Sequence, residues 1–263
     1  VTKAKIKAVG SNELQTVEVN IKTNTIFMND NAIHASDLQL FNPINGTVFG
    51  TLLNYKGELE LLGGAVHEKP YQSPPIAPVL YIKPANTFNH FGAEILMPTG
   101  MDKLKIGAAL GLVIGKRASE IDEATAMDYI AGYTIVNDVS VPHESIFRPA
   151  VQHNARDGFC SMGPWIIDYH EVEDPDDLTI RVFINEKLQQ ENSTSNLIRP
   201  ISRLLADVTE FMTLSPGDVL LVGVPEHAPL AYVEDTIRIE IEGIGSLENI
   251  VVAEMDIGRR NVI

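Results

Sequence analysis

Hydrophobic and polar residues alternate in several stretches of the chain, and the alternation predicts strands. "TVEVNI" (Thr16–Ile21) reads as a half-buried strand, because every second side chain is apolar. "TVFGTLLNY" (47–55) and "VLYIKP" (79–84) are further apolar runs. "LTIRVFINEK" (178–187) alternates and turns at Asn185. Ile237, Ile239 and Ile241 share one face of a hairpin whose turn is expected near 243–246. "YTIVNDVS" (133–140) and "VLLVGVP" are predicted as buried strands, the second introduced by the turn signal "SPGD".

Helical spacing is rarer. Ile201, Leu204, Leu205, Val208, Phe211 and Met212 repeat at the period of one helix face. In "SEIDEATAMDYIAGY", Ser119 or Asp122 can cap a helix that Gly132 ends. Strands and helices do not alternate regularly, which argues against a doubly wound sheet and for a mixed α/β, β-dominated fold. "HEKPYQSPPIAP" (67–78) holds four prolines and cannot be a regular element. It is expected to link a small N-terminal part (1–70) to the main domain (71–263).

One strand stands apart. "KIGAALGLVIGK" (105–116) is apolar, yet it carries Gly107, Gly111 and Gly115 with Ala108 and Ala109 between them. Glycine in a strand marks a bulge or a close approach by backbone or ligand. Taken alone, the stretch is explained more simply by tight packing of a buried strand.

Composition narrows the function. With 263 residues, 44% hydrophobic, the chain can bury a large core. A net charge of −15 speaks against nucleic acid, which needs clustered Lys and Arg. No run is apolar enough to span a bilayer, and the opening "VTKAKIKAVGSNELQ" does not read as a signal peptide, so a cytoplasmic location is expected. Cys160, the single cysteine, excludes an internal disulfide, and its apolar setting suggests an inert thiol.

Candidate chemistry lies in two segments. "NDVSVPHES" places Asp138, His143 and Glu144 at a strand end and in the loop beyond it. A carboxylate there can bind a hard cation, and a His–Glu pair can move protons; a turn cap and a solvated loop are the plain alternatives. "HNARDGFCSMGPW" offers His153, Arg156 and Asp157, where Arg156 can fork onto a carboxylate or simply pair with Asp157. Nucleophile elbows, dinucleotide fingerprints, phosphate loops and zinc spacings are absent from the sequence.

Five segments in series resemble the fumarylacetoacetate hydrolase family: "YIKPANT", "LVIGKRASEIDEATAMDYIAGYTIVNDVS", "RDGFCSMGPW", "FMTLSPGDVLLVGVP" and "IEIEGIGSLENIVV". "YQSPPIAPVLYIKPANT" and "NDVSVPHESIFRPAVQHNARDGFC" resemble the amino-terminal half of the fused isomerase/decarboxylase of homoprotocatechuate (4-hydroxyphenylacetate) breakdown. The resemblance implies a β-roll and dimeric assembly, as a homodimer or with a paralogue. It also implies Mg²⁺ or Mn²⁺ on three carboxylates, holding a 2-oxo acid while an enolate forms. The expected substrate class is an unsaturated oxo-dicarboxylate such as 5-carboxymethyl-2-oxohex-3-ene-1,7-dioate. His143, Glu144 and Arg156 are then the catalytic candidates, Lys83 and Asp157 the substrate-binding candidates, and Asp138 the metal ligand.

The chain departs from the family pattern. The two other metal carboxylates fall at Gly107 and Ala109, the usual lysine at Asn154, the usual Thr at Val224 and the usual His at Glu58. A role as non-catalytic partner of a metal-bearing paralogue is the alternative reading.

Overall fold

The computed structural model describes residues 1–11, 13–29, 31–69, 72–143 and 150–254. Its first four strands, β1 (Thr2–Ile6), β2 (Gln15–Asn20), β3 (Thr25–Met28) and β4 (Asn31–His34), form an antiparallel meander. Then come β5 (Val48–Leu52), helix α1 (Lys56–Leu62), β6 (Val79–Lys83), β7 (Phe88–His90), β8 (Glu94–Met97), β9 (Leu104–Lys105) and β10 (Ala108–Ile114). The middle of the chain holds β11 (Ile130–Asp138), α2 (Val151–Asn154), β12 (Cys160–Asp168), β13 (Thr179–Ile184) and β14 (Lys187–Ser193). Helix α3 (Ile201–Thr209), β15 (Val219–Leu221), β16 (Leu230–Ala231), β17 (Thr236–Ile241) and β18 (Gly245–Ala253) complete it.

The large sheet runs in the order β4-β3-β2-β1-β12-β11-β10-β15-β5-β6, with β7 attached to β12. A five-stranded sheet, β14-β13-β17-β18-β8, packs against it. Most neighbours are antiparallel, so the strand-rich mixed fold agrees with the sequence pattern. The residues before position 70 share the large sheet with the rest of the chain: β1 pairs with β12, and β5 lies between β15 and β6.

Two apolar clusters use opposite faces of the central strands. Leu110 and Leu112 of β10, Tyr133 and Ile135 of β11 and Trp165 of β12 join the larger core, against the five-stranded sheet and α3. Ala109, Val113, Val136, Cys160 and Met162 belong to a second cluster. Alternation along a strand puts these two sets on opposite faces. In α3, Ile201, Leu204, Leu205 and Val208 are buried, as their spacing predicts, whereas Phe211, in the same spacing, lies beyond the helix end and is exposed. At the β13–β14 turn, Asn185 and Glu186 both take positive φ (50° and 62°), the geometry of a tight hairpin.

The helix expected after Ser119 is corrected by the structure. Only a 3-10 segment, Glu123–Tyr129, forms there, and Asp122 precedes it without a side-chain cap. Gly132 does not end a helix; it lies inside β11, where a side chain would run into the Ile167 carbonyl of β12. Pairing of β11 along its whole length with β10 and β12 overrides local helix propensity. No helix among the described residues is long and apolar enough to cross a membrane.

Candidate functional site

Edge strand β6 stands four places from β11 in the sheet order, yet its side chains reach Asp138 at the end of β11. The large sheet therefore curls back on itself, and the second apolar cluster lies inside the roll. Tyr81 and Lys83, two residues apart on β6, point the same way. Lys83 is fully buried. Its ammonium lies 2.6 Å from Asp138 Oδ1 and donates to the carbonyls of Val139 at 2.9 Å and Asn154 at 2.8 Å. Those three partners use all three N–H donors of the ammonium.

The Tyr81 hydroxyl donates to the other oxygen, Asp138 Oδ2. Its ring keeps some solvent exposure, while its hydroxyl end is enclosed. Gly50, its cross-strand neighbour on β5, makes this possible: a Cβ at position 50 would overlap the ring. Burial first, then the Asp138 charge, raises the Tyr81 phenol well above its ordinary value. Cys160, opposite Asp138 on β12, is fully buried, and that burial pushes its thiol up to about 12. This is an inert thiol, in agreement with its apolar sequence setting.

A second set of buried polar groups lies around α1 and in the loop after β15. Burial pushes the Glu58 carboxyl up to about 7, with the Glu226 charge adding to the rise; Lys105 and the backbone amides of Tyr55 and Leu53 oppose it. Glu226 lies against Gly57 and accepts from Asn192 Nδ2 at 3.0 Å through Oε1. Tyr55 is fully buried, and its phenol is raised by burial and by the charges of Glu58 and Glu226. The Glu58 charge adds a last, small contribution to the rise of the Tyr81 phenol.

Glu58 makes stability pH-dependent with a definite sign. The folded chain holds this proton more tightly than the unfolded chain, whose carboxyl titrates near the ordinary 4.5. The contribution is complete below that value, declines as pH rises toward about 7, and is absent above it. Urea unfolding across this range should show the decline in wild type and a flatter profile in Glu58→Gln.

The residues singled out from sequence are distributed as follows. Lys83 and Asp138 meet directly. The His143 ring stacks on His153, with centroids 4.9 Å apart. Glu144 lies outside the described residues. Arg156 Nε donates to the Gln152 carbonyl at 2.9 Å, and exposed Asp157 accepts from Asn86 Nδ2 at 2.7 Å. Arg156 and Asp157 are thus engaged with different neighbours. Tyr81, Tyr55 and Glu226 had no local signal in the sequence, and Glu58 was visible only as a departure from the family pattern.

These residues do not fit the three-carboxylate metal site. Gly107 and Ala109 offer no side-chain oxygen. Both oxygens of Asp138 are committed, one to Lys83 and one to Tyr81. Among the described residues, no group of three His, Cys, Asp or Glu side chains could hold a metal ion.

The class of the molecule is defined by its sequence: the chain belongs to the fumarylacetoacetate hydrolase family, matching its C-terminal region over residues 47–252. More narrowly, it is 40% identical over 216 residues to the 4-hydroxyphenylacetate degradation bifunctional isomerase/decarboxylase of Salmonella dublin, across 82% of this chain and 49% of that protein. The chain spans about half the length of the curated relatives it matches first. Among solved structures, it resembles 5-carboxymethyl-2-hydroxymuconate delta-isomerase from Mycobacterium smegmatis, with a TM-score of 0.77, 29% identity and coverage of 97% of this chain and 100% of that one. It also resembles 2-hydroxyhepta-2,4-diene-1,7-dioate isomerase from Mycobacterium marinum, with a TM-score of 0.76, 26% identity and coverage of 97% and 99%.

Proposed function

We propose that this chain is a subunit of an isomerase/decarboxylase acting on unsaturated 2-oxo dicarboxylates such as 5-carboxymethyl-2-oxohex-3-ene-1,7-dioate. It pairs with a paralogue that carries the three-carboxylate metal site. The observation that carries this reading is the closed Tyr81–Asp138–Lys83 unit at the position where a metal carboxylate is expected. The half-length match to two-function relatives supports the pairing. Arg156 is proposed to bind a substrate carboxylate and His143 and Glu144 to serve proton transfer, with Asp157 held through Asn86. Lys83 acts on substrate indirectly, by fixing the Asp138 carboxylate.

The two reactions make different demands. Isomerisation moves a proton between carbons through a dienolate and needs an acid/base group. Decarboxylation leaves an electron pair on an enolate and benefits from a strong electrophile such as a divalent cation. The test follows CO₂ release and isomerisation separately, for the purified chain with chelator and for its mixture with a metal-bearing family member. Isomerisation by the chain alone, with CO₂ release only in the mixture, is the expected result. Decarboxylation by the chain alone in chelator would overturn the pairing. A mixture active in both steps, with the chain alone inactive, would favour the purely structural partner.

A further inference from the structure

Four buried polar atoms between the two sheets have no hydrogen-bond partner: Asn137 Nδ2 and Oδ1, Ser161 Oγ and Asn249 Oδ1. Asn137 and Ser161 are fully buried, and Asn249 is 5% exposed. Asn137 of β11 and Ser161 of β12 stand directly opposite each other in the large sheet. They alternate with Asp138 and Cys160, so their side chains leave on the other face, toward the five-stranded sheet. Asn249 comes from that facing sheet, on the buried row of β18 that also carries Leu247 and Val251. Its Nδ2 donates to the carbonyls of His90 at 3.1 Å and Ala93 at 2.9 Å. His90 follows Asn89, the register partner of Ser161 on β7. The three side chains thus come from three strands to one place in the core.

We propose that this place is a binding site for internal water, held between the sheets by Asn137, Ser161 and Asn249. The chemistry of the groups selects water. Asn137 offers two N–H donors and a carbonyl oxygen, Ser161 a hydroxyl that both donates and accepts, and Asn249 a carbonyl oxygen. Water donates two protons and accepts two, and a buried water makes about three hydrogen bonds to groups that otherwise lack partners. None of the three side chains carries a charge, so an ion would gain no counter-charge from them. Left dry, the four atoms would lose their hydration with nothing in return, which native interiors rarely tolerate.

Small neighbours make room for the water. On its other side Asn137 faces Ala108 of β10. The same row of β10 continues with Leu110 and Leu112, so Ala108 is where that row becomes short. The site also lies behind the candidate functional site. Asn137 precedes Asp138 and Ser161 follows Cys160. Water bound on this face therefore braces the strand ends whose other face presents Asp138 to Lys83 and Tyr81.

The first test detects the water in the wild-type chain. Cross-relaxation between water and protein is recorded by NMR, with the Asn137 side-chain N–H₂ group assigned through its bonds. A water that stays longer than the molecule takes to tumble gives cross-peaks of opposite sign in the laboratory and rotating frames, and these are expected at Asn137. They should persist in Ser161→Ala, which removes the one hydroxyl whose own exchange could imitate water and leaves both asparagines in place. Absence of the cross-peaks in wild type, or their loss in Ser161→Ala, overturns the proposal. The second test is a melting curve of Asn137→Leu, which replaces the amide by an apolar side chain of similar shape. The melting temperature should fall by roughly 3 °C or more, because Ser161 and Asn249 lose the network that the water completes. A dry site behaves oppositely: the substitution removes two unsatisfied atoms, and a rise in melting temperature overturns the proposal. If Asn137→Leu does not fold, the wild-type and Ser161→Ala spectra decide.

Discussion

Replacing Asp138 with asparagine is expected to cost roughly 3–5 kcal/mol of folding stability, because it strands a buried lysine without its counter-ion. The Lys83 side chain is fully buried and that of Asp138 is only 10% exposed. The remaining ammonium partners are two backbone carbonyls, which carry no net charge. The substitution also removes the anionic acceptor of the Tyr81 hydroxyl. A carboxylate serving only as an unloaded metal ligand would behave oppositely: its loss would relieve repulsion or change little. Urea unfolding in chelator separates the two. A Lys83→Met, Asp138→Leu double variant should recover much of the loss, since replacing both members of a buried pair costs far less than removing one. An Asp138→Asn protein as stable as wild type would show that the pair does not hold the roll closed.

Rebuilding the missing carboxylates should be harsher still. A Cβ at position 107 would sit 2.5 Å from the Asp138 carbonyl oxygen and 3.0 Å from the Val224 side chain. That carbonyl cannot retreat easily, because the Asp138 N–H donates to the Gly107 carbonyl at 2.7 Å in the same backbone exchange. Ala109 is completely buried in an apolar cluster, so a glutamate there loses its hydration. The Gly107→Glu, Ala109→Glu variant is expected to lose more than about 4 kcal/mol, a large share of the stability of an ordinary domain. Mg²⁺ or Mn²⁺ should recover little of it, because the third ligand is held by Lys83. Melting curves of Gly107→Ala, Ala109→Glu and the double variant, with and without metal, check this. A strong metal-dependent rise in the melting temperature of wild type would mean that a metal is held by a different ligand set.

Much of this architecture was legible in the sequence wherever one face of an element meets water. Strand β13 and helix α3 announce themselves by period, and Ile180, Val182 and Ile184 of β13 and Ile201, Leu204, Leu205 and Val208 of α3 are buried as the period selects. The 119–132 segment misled because capping residues and acidic side chains are local signals, whereas the extent of β11 is decided by partners far along the chain. The site divides in the same way. Asp138 could be placed at a strand end from "NDVS" alone. Its union with Lys83 and Tyr81 could not, because closure of a sheet into a roll leaves no mark at either edge strand. Glu226 and Tyr55 were hidden for a similar reason: their meaning comes from burial and from each other, through a loop and a helix that are distant in sequence.

Strand β10 has no solvent side at all; each of its seven residues is buried. The usual code that fixes strand pairing, polar outward and apolar inward, is therefore silent there, and a slip by one residue would exchange one apolar row for another. Bulk takes over that task. One row carries Ala109, Gly111 and Val113; the other carries Ala108, Leu110, Leu112 and Ile114. Gly111 already meets Val136, Thr134 and Val219 so closely that even a Cβ would lie 3.0–3.1 Å from them, and a leucine moved into that row would have nowhere to go. The small residues thus act as a size ruler that sets the alignment of β10 against β11, and with it the position of Asp138 at the mouth of the roll.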